Sequence, residues 1–370
     1  MNSQVYLDYN ATVPALPEVI SAVARAMEKC GNASSVHTMG RQVRKLVEDA
    51  RENLAALVGA KPAQVIFTGG GSEANNMALN CTCREAILVS AIEHVSVLNA
   101  IGNTRPVSVD RDGVLDLQAL EFALSLTNKP ALVSVMLANN ETGVIQPVAD
   151  VARVAKEHGA IVHCDAIQAL GKISVDWREL NVDFLSLSAH KIGGPQGVGA
   201  LIVNENIPLD PFMKGGGQER GRRAGTENVA GIAGFGEAAK SAGATIDFQS
   251  EIKVWRNKIE NEIKSIAPAA QIFGGSADRL PNTSCISMPC VSSETQLINF
   301  DLADIMVSAG SACSSGKVQA SHVLTAMGVK EDASRTIRIS LGAGNSENDA
   351  DKFISVWRDM YAKSATSTAA

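Results

Sequence analysis

Lys191 is the side chain in this sequence most suggestive of chemistry. It follows an apolar run, Phe184–Leu187, and precedes Gly193-Gly194-Pro195, which stops any regular element before a second apolar run, Val198–Val203. A lysine held between two strand-like runs is poorly placed as a solubilising charge. A partly desolvated amine there is well placed to anchor a carbonyl cofactor as a Schiff base. On that stretch alone a loop-tip lysine is the commoner case. Other polar groups change the balance. Gly70-Gly71-Ser72 follows Val65–Phe67 and opens a helix, where backbone amides and a hydroxyl can cradle phosphate. Glu93-His94 follows Ala86–Ser90, Asn139-Asn140-Glu141 follows Ala131–Leu137, and Asp165 with Gln168 follows Ala160–Cys164. Packing explains the apolar runs but not the polar cluster behind each one. No Gly-Lys-Ser/Thr follows the glycines and no G-x-G-x-x-G opens a helix, so the P-loop and dinucleotide fingerprints are both missing.

An amine, a carboxylate, an imidazole and a phosphate cradle have a common use in enzymes of pyridoxal 5'-phosphate (PLP). The lysine holds that cofactor, and a carboxylate keeps the pyridine nitrogen protonated so that the ring is an electron sink. Asp165 suits the second role. The elements that must position these groups are legible as well. Helical periods run over Pro17–Cys30 and Gly40–Val58. Strands and helices then alternate from Val65 to Val203, with Asp116 as N-cap of a helix over Leu117–Leu126. Such alternation predicts an α/β fold with a mostly parallel sheet covered on both faces, whose ligands bind beyond the carboxyl ends of the strands. A Gly/Arg-rich loop, residues 215–228, ends in Thr226, Glu227 and Asn228, any of which can cap the next helix. The spacing of Ile252, Trp255, Ile259, Ile263 and Ile266 predicts an amphipathic helix over Glu251–Ile266, and the boundary to a second domain falls near it. Beyond it, a strand-like run at Cys285–Met288 alternates with helices at Glu294–Asp301 and Ala320–Met327.

A chain of 370 residues suffices for one large and one smaller domain. A net charge of −6 argues against nucleic acid or an anionic membrane as the main partner. No apolar run approaches the ~18–20 residues that span a bilayer. No secretory signal is visible, so a cytoplasmic location is expected. The seven cysteines are irregularly spaced without Cys-x-x-Cys, which indicates neither a disulfide framework nor a zinc site. Six are expected to be small buried hydrophobes. Cys313 differs: it sits in Ser308-Ala-Gly-Ser-Ala-Cys-Ser-Ser-Gly316, a run of small residues that reads as a mobile loop.

Together these motifs resemble those of the cysteine desulfurases, aminotransferase-like PLP enzymes of fold type I. The resemblance spans nearly the whole chain. It rests on Tyr6-Leu-Asp-Tyr9, Asn75-Asn76, Glu93-His94, Asn139-Asn-Glu-Thr-Gly143, Asp165-Ala-Ile-Gln168, Ser188-Ala-His-Lys191, Arg223-Ala-Gly-Thr226, Ser308 to Cys313, and Arg338-Ile-Ser-Leu-Gly342. It implies a mostly parallel seven-stranded sheet in a large domain of residues 16–250. A smaller α+β domain would comprise residues 1–15 and 251–370 and carry the cysteine loop, about residues 308–320. By the same resemblance, Lys191 holds PLP and moves the substrate's Cα proton, and His94 stacks on the ring and assists. Asp165 would pair with the ring nitrogen, Gln168 with the ring oxygen, and Asn140 would lie beside ring and substrate. Gly71, Ser72, Ser188 and His190 would hold the phosphate, and Thr226 would reach the phosphate in the other subunit of a homodimer. Arg338 would clamp the substrate carboxylate, a task for a planar bidentate donor.

Cys313 carries the distinguishing chemistry of that family, in which a thiolate attacks the sulfur of L-cysteine to leave alanine and an enzyme persulfide. Ser-Ala-Cys313-Ser-Ser-Gly followed by Ser321-His-Val-Leu resembles the branch with the longer active loop. That branch implies sulfur transfer to an iron–sulfur scaffold protein, whose cluster Cys313 could share as a metal ligand. A selenocysteine lyase and an aminotransferase of the same fold are the nearest alternatives. A non-catalytic sulfur-delivery subunit is a third, against which stand Lys191, Asp165, His94 and Cys313 all present. Two departures from the family pattern are Ala33 in place of proline and Ala343-Gly-Asn345 in place of an Arg/aromatic pair.

Overall fold

The computed structural model describes residues 4–310 and 321–368. The first half runs β1 (Val5–Tyr6), α1 (Pro17–Met27), α2 (Thr38–Leu57), β2 (Val65–Thr68), α3 (Gly71–Asn80), β3 (Ala86–Ser90), α4 (Val95–Leu98), β4 (Arg105–Val107), α5 (Leu117–Ser125), β5 (Ala131–Met136), α6 (Val148–Glu157), β6 (Ile161–Asp165), α7 (Trp177–Leu180), β7 (Phe184–Ser188) and β8 (Gly199–Val203). Seven of these strands form one sheet in the order β2-β8-β7-β6-β5-β3-β4. β8 is antiparallel to both neighbours and the other pairs are parallel. Strands such as Ala86-Ile-Leu-Val-Ser90 are buried at every position, as a sheet covered on both faces requires. Asp116 caps α5 as expected, accepting from Gln118 N (2.9 Å) and Ala119 N (3.1 Å). Lys191 lies in the connection between β7 and β8, whose antiparallel register pairs Ser188 with Gly199. Gly199 has a steric reason: a Cβ there would come within 2.6 Å of the Gly70 backbone, so only glycine lets the start of α3 lie over β8.

The second half runs α8 (Val229–Ile266), β9 (Thr283–Ser287), α9 (Ser293–Leu302), β10 (Ile305–Met306), α10 (His322–Ala326), β11 (Thr336–Ser340) and α11 (Glu347–Thr368). β9 pairs antiparallel with β11, and β10 pairs parallel with β1 from the N-terminal arm. A second hydrophobic core forms here around Ile252, Ile259, Phe300, Phe353 and Trp357. Phe300 and Phe353 stack with ring centroids 4.8 Å apart.

The helix expected over Glu251–Ile266 proves to be the last part of a 38-residue helix, α8, capped by Asn228. Its start packs Ile232, Phe235, Ala238 and Ala239 into the core under the sheet, and its end enters the second core. The early part is hidden in the sequence by Gly231, Gly234 and Gly236, which cost roughly 1 kcal/mol each in a helix. Close packing overrides propensity: a Cβ at Gly236 would lie 2.5 Å from Ala50 of α2. The sequence reading also passes over α11, although Phe353, Ile354, Trp357, Met360 and Tyr361 fall on one helical stripe. The cysteine expectation needs correction. Cys81, Cys164 and Cys285 are buried, but Cys30, Cys83 and Cys290 are exposed. Among the described residues, no helix is long and apolar enough to cross a membrane.

The Gly/Arg-rich loop is pinned to the sheet by a buried ion pair. Arg51 of α2 donates to both Glu219 oxygens (2.8 and 2.9 Å), and Glu219 also accepts from Phe67 N (3.0 Å). Truncating one partner leaves a buried charge alone. Glu219→Ala is therefore expected to lower stability by about 3–5 kcal/mol, read as a fall in the denaturation midpoint. Asp49→Ala, which breaks the exposed Lys45 pair, should leave it essentially unchanged.

Candidate active site

A cleft of about 430 Å³ opens where the carboxyl ends of β5, β6 and β7 meet the starts of α3 and α4. Asp165 is the last residue of β6, and its position at the sheet's centre buries it. It accepts from Asn75 Nδ2 (2.7 Å) and Ile167 N (3.0 Å). Burial raises its carboxyl above the usual range, and those bonds with the charges of His94 and Lys191 oppose the rise. The Asn75 amide nitrogen also reaches Ser96 Oγ (2.9 Å), which in turn lies 2.7 Å from His94 Nδ1. His94 Nδ1 accepts from Ser96 N (3.2 Å), so in the neutral ring the proton is on Nε2, facing away from α4's backbone. Desolvation lowers the His94 pKa, against the pull of Asp165.

Lys191 donates to the carbonyls of Asn10 (2.5 Å) and Ala11 (2.9 Å) in the N-terminal arm. Burial, and then Arg338, lower its pKa to about 8. His190, beside it, is pushed down to about 4 by burial and by Lys191, so its ring is neutral near pH 7. At the other end of the cleft α3 begins at Gly71 with no side-chain cap on its first amides. Gly71, Ser72 and Ser188 line the cleft there. A Cβ at Gly71 would strike Ile167 at 2.2 Å, so glycine lets the turn after Asp165 close against the helix start. Arg338, from β11, completes the wall. It donates to Asn140 O (3.0 Å) and Asp8 Oδ1 (2.5 Å), while its buried Nε has no partner among the described residues.

Gly71, Ser72, His94, Asn140, Asp165, Gln168, Ser188, His190, Lys191 and Arg338 thus share one cleft. Thr226 does not line it; it borders a separate hollow of about 150 Å³ with Gly69 and Arg223. Cys313 lies outside the described residues, which reach the cleft's edge at Ser308 and Gly310. The sequence reading gave Asn10 no role and Asp8 only a place in the Tyr6-Leu-Asp-Tyr9 motif, without its ion pair to Arg338. Asn10 bonds groups up to 330 positions away, among them Asn140, Thr283 and Ser340. No local pattern marks contacts so distant. Asn75 was visible only as part of a motif, without its bond to Asp165.

Residues 5–353 match the aminotransferase class-V family. This chain belongs to that family. As a class-V aminotransferase relative it works with PLP, and the cleft suits that group. The uncapped amides of α3 offer an anion site, Asp165 a deep carboxylate and Lys191 a low-pKa amine. The chain is 39% identical over 382 residues to a cysteine desulfurase named IscS from Dictyoglomus turgidum, across 99% of this chain and 96% of that one. A solved NifS-like protein from Rickettsia africae is 38% identical with a TM-score of 0.91, across 97% of this chain and 99% of that one. A protein named SspA, solved in complex with cysteine, is 31% identical with a TM-score of 0.80, across 92% and 99%.

The departure at Ala343-Gly-Asn345 also has a local reason. A Cβ at Gly344 would lie 2.5 Å from the Tyr9 hydroxyl, which accepts from Gly344 N (3.2 Å). Asn345 closes the turn by accepting from Gly342 N (2.9 Å).

The low pKa of Lys191 is directly measurable. Its amine should lose its proton near pH 8, against 10.5 for an ordinary lysine. In cofactor-free protein, acylation of Lys191 followed by peptide mass spectrometry should rise through pH 8 and level off well before the surface lysines do. A midpoint near 10.5 would contradict the burial seen here. The sign for stability follows: between about 8 and 10.5 the unfolded chain holds the proton the folded one has lost, so this group adds stability as pH rises.

Proposed function

We propose that this class-V enzyme is a cysteine desulfurase: it removes sulfur from L-cysteine, leaving L-alanine and a persulfide on Cys313. The observation that carries the reading is the union of anchor, clamp and loop root in one cleft. Lys191 and Arg338 face the same space, and Ser308, where the Cys313 segment begins, pairs backbone to backbone with Arg338 (3.1 and 2.6 Å). When bound, PLP supplies an electron sink for charge at the substrate's Cα. Arg338, which lines the cleft, binds the substrate carboxylate with its guanidinium as a charge-assisted donor. Lys191, deprotonated above about pH 8, takes and returns the Cα proton, with His94 Nε2 beside it. The Cys313 thiolate attacks the substrate sulfur. The Cβ–S bond breaks, its electron pair stays on Cβ, and a proton there completes the methyl group of alanine.

The acceptor in this reading is an iron–sulfur scaffold protein, with which Cys313 could share a cluster. The support is the sequence of the Cys313 segment. A homodimer accounts for Thr226, which stands outside the cleft of its own chain and would serve the partner's phosphate site.

A spectrum of the purified protein with PLP tests the reading. A visible lysine-linked band, with alanine formed from L-cysteine, is expected. Cys313→Ala should keep the band and lose alanine formation by at least a hundredfold, while Arg338→Ala should keep the band and raise KM for L-cysteine more than tenfold, a lost charge-assisted pair being worth ~1.5–3 kcal/mol. Undiminished turnover in Cys313→Ala would favour a lyase or an aminotransferase. Absence of any band would refute a PLP enzyme.

A further inference from the structure

The turn after β6 carries a lysine that the reaction above does not use. Lys172 is 6% exposed and lies behind Gln168, on the wall of a second cavity of about 370 Å³ bordered also by Tyr9, Ile192 and Leu341. Its Nζ donates to Gln168 Oε1 (2.6 Å) and to Asn10 Oδ1 (2.8 Å). Both partners are carbonyl oxygens, which only accept, so the nitrogen must donate twice, whether as an amine or an ammonium. Among the described residues no carboxylate pairs with it, and the nearby charges of Lys191 and Arg338 are both like-signed. Burying such a group is costly unless its bonds are worth keeping.

Those bonds fix the side chain that faces the cleft. With Oε1 held from behind, the Gln168 amide must turn its NH2 the other way. One of those hydrogens goes to Asn10 O (2.8 Å), which also accepts from Lys191 Nζ (2.5 Å). The second is left for the cleft, which Gln168 lines. Asn10 is itself held by Asn282 (3.2 Å), Thr283 (2.9 Å) and Ser340 (2.9 Å). A donor on the carbonyl oxygen of an amide also polarises it and strengthens the N–H on the far side.

We propose that Lys172 is a positioning residue: from behind the cleft it locks the Gln168 amide with its N–H toward the ring oxygen of the cofactor and strengthens that donor. The inference rests on the reading of Lys191 as the cofactor's anchor. A stronger donor to the ring oxygen favours the deprotonated form of the lysine–cofactor link. The other charged groups that face this link are Asp8, Asp165 and Arg338, with the rings of His94 and His190 beside it. None of these is altered in the test.

The test is a pH titration of the visible band of PLP-loaded protein, wild type against Lys172→Met, Gln168→Met and the double variant. Lys172→Met should raise the midpoint by roughly half to one pH unit, the loss of about one hydrogen bond. Gln168→Met should raise it similarly, and adding Lys172→Met to it should add little. In cofactor-free protein the thermal midpoint of Lys172→Met should fall, but that alone a structural lysine would also show. An unmoved band midpoint in Lys172→Met overturns the proposal. So does a shift that persists at full size in the Gln168→Met background. Should Lys172→Met fail to fold, Lys172→Gln, which keeps a neutral donor, decides: a midpoint between wild type and Gln168→Met supports the proposal, and a midpoint beyond Gln168→Met overturns it. A wild-type protein with no such band would instead overturn the anchor reading, and this proposal with it.

Discussion

Burying ionisable groups side by side is the constraint on which the rest of this structure depends. Glu93, Asp165, Lys172 and Arg338 are all under a tenth exposed, and Lys191 is partly buried. A buried charge must be paired, hydrogen-bonded or neutralised. Each route is used here. Burial and Asp165 push Glu93 well above the usual carboxylate range, and it accepts from Met136 N (2.6 Å). Asp165 is held by an amide and a backbone N–H, and Arg338 by Asp8. Lys191 instead yields part of its proton affinity, which is the property an amine needs to attack a carbonyl near neutral pH.

The N-terminal arm makes this arrangement possible. Its main-chain carbonyls at Asn10 and Ala11 receive Lys191, and its side chains at Asp8 and Asn10 receive Arg338 and Lys172. The arm is also the strand partner of β10 and a bridge partner of Ser340. Sheet pairing therefore sets where the acceptors stand, and the acceptors hold the cleft's cationic side chains in place.

The sheet was legible in the sequence because its strands are short, mostly apolar runs separated by turn residues and helical periods. The site was legible because polar residues at strand ends have no packing role. Lys191, Asp165, His94 and Asn140 were found in this way and do share one cleft. What escaped was set by distance or by packing. Asn10 and Asp8 act on residues more than a hundred positions away, and nothing near them in sequence announces it. The first part of α8 was hidden by glycines that close helix packing demands. Lys172 was passed over because a lysine four residues after Gln168 reads as a surface charge, and only burial shows otherwise.

Lys191 and Arg338 stand on different cores. Lys191 follows β7 of the large sheet, whereas Arg338 belongs to β11, packed with the second core. Their spacing therefore depends on how firmly one core is held against the other. Two features hold it. α8 runs unbroken for 38 residues and contributes to both cores, which makes it a strut rather than a hinge. Asp8 ties Arg338 to the arm and accepts from Ser308 Oγ (3.1 Å), so Arg338, the arm and Ser308 are joined by hydrogen bonds. The described wall of the cleft, from the arm to Gly310, is thus braced as a single frame.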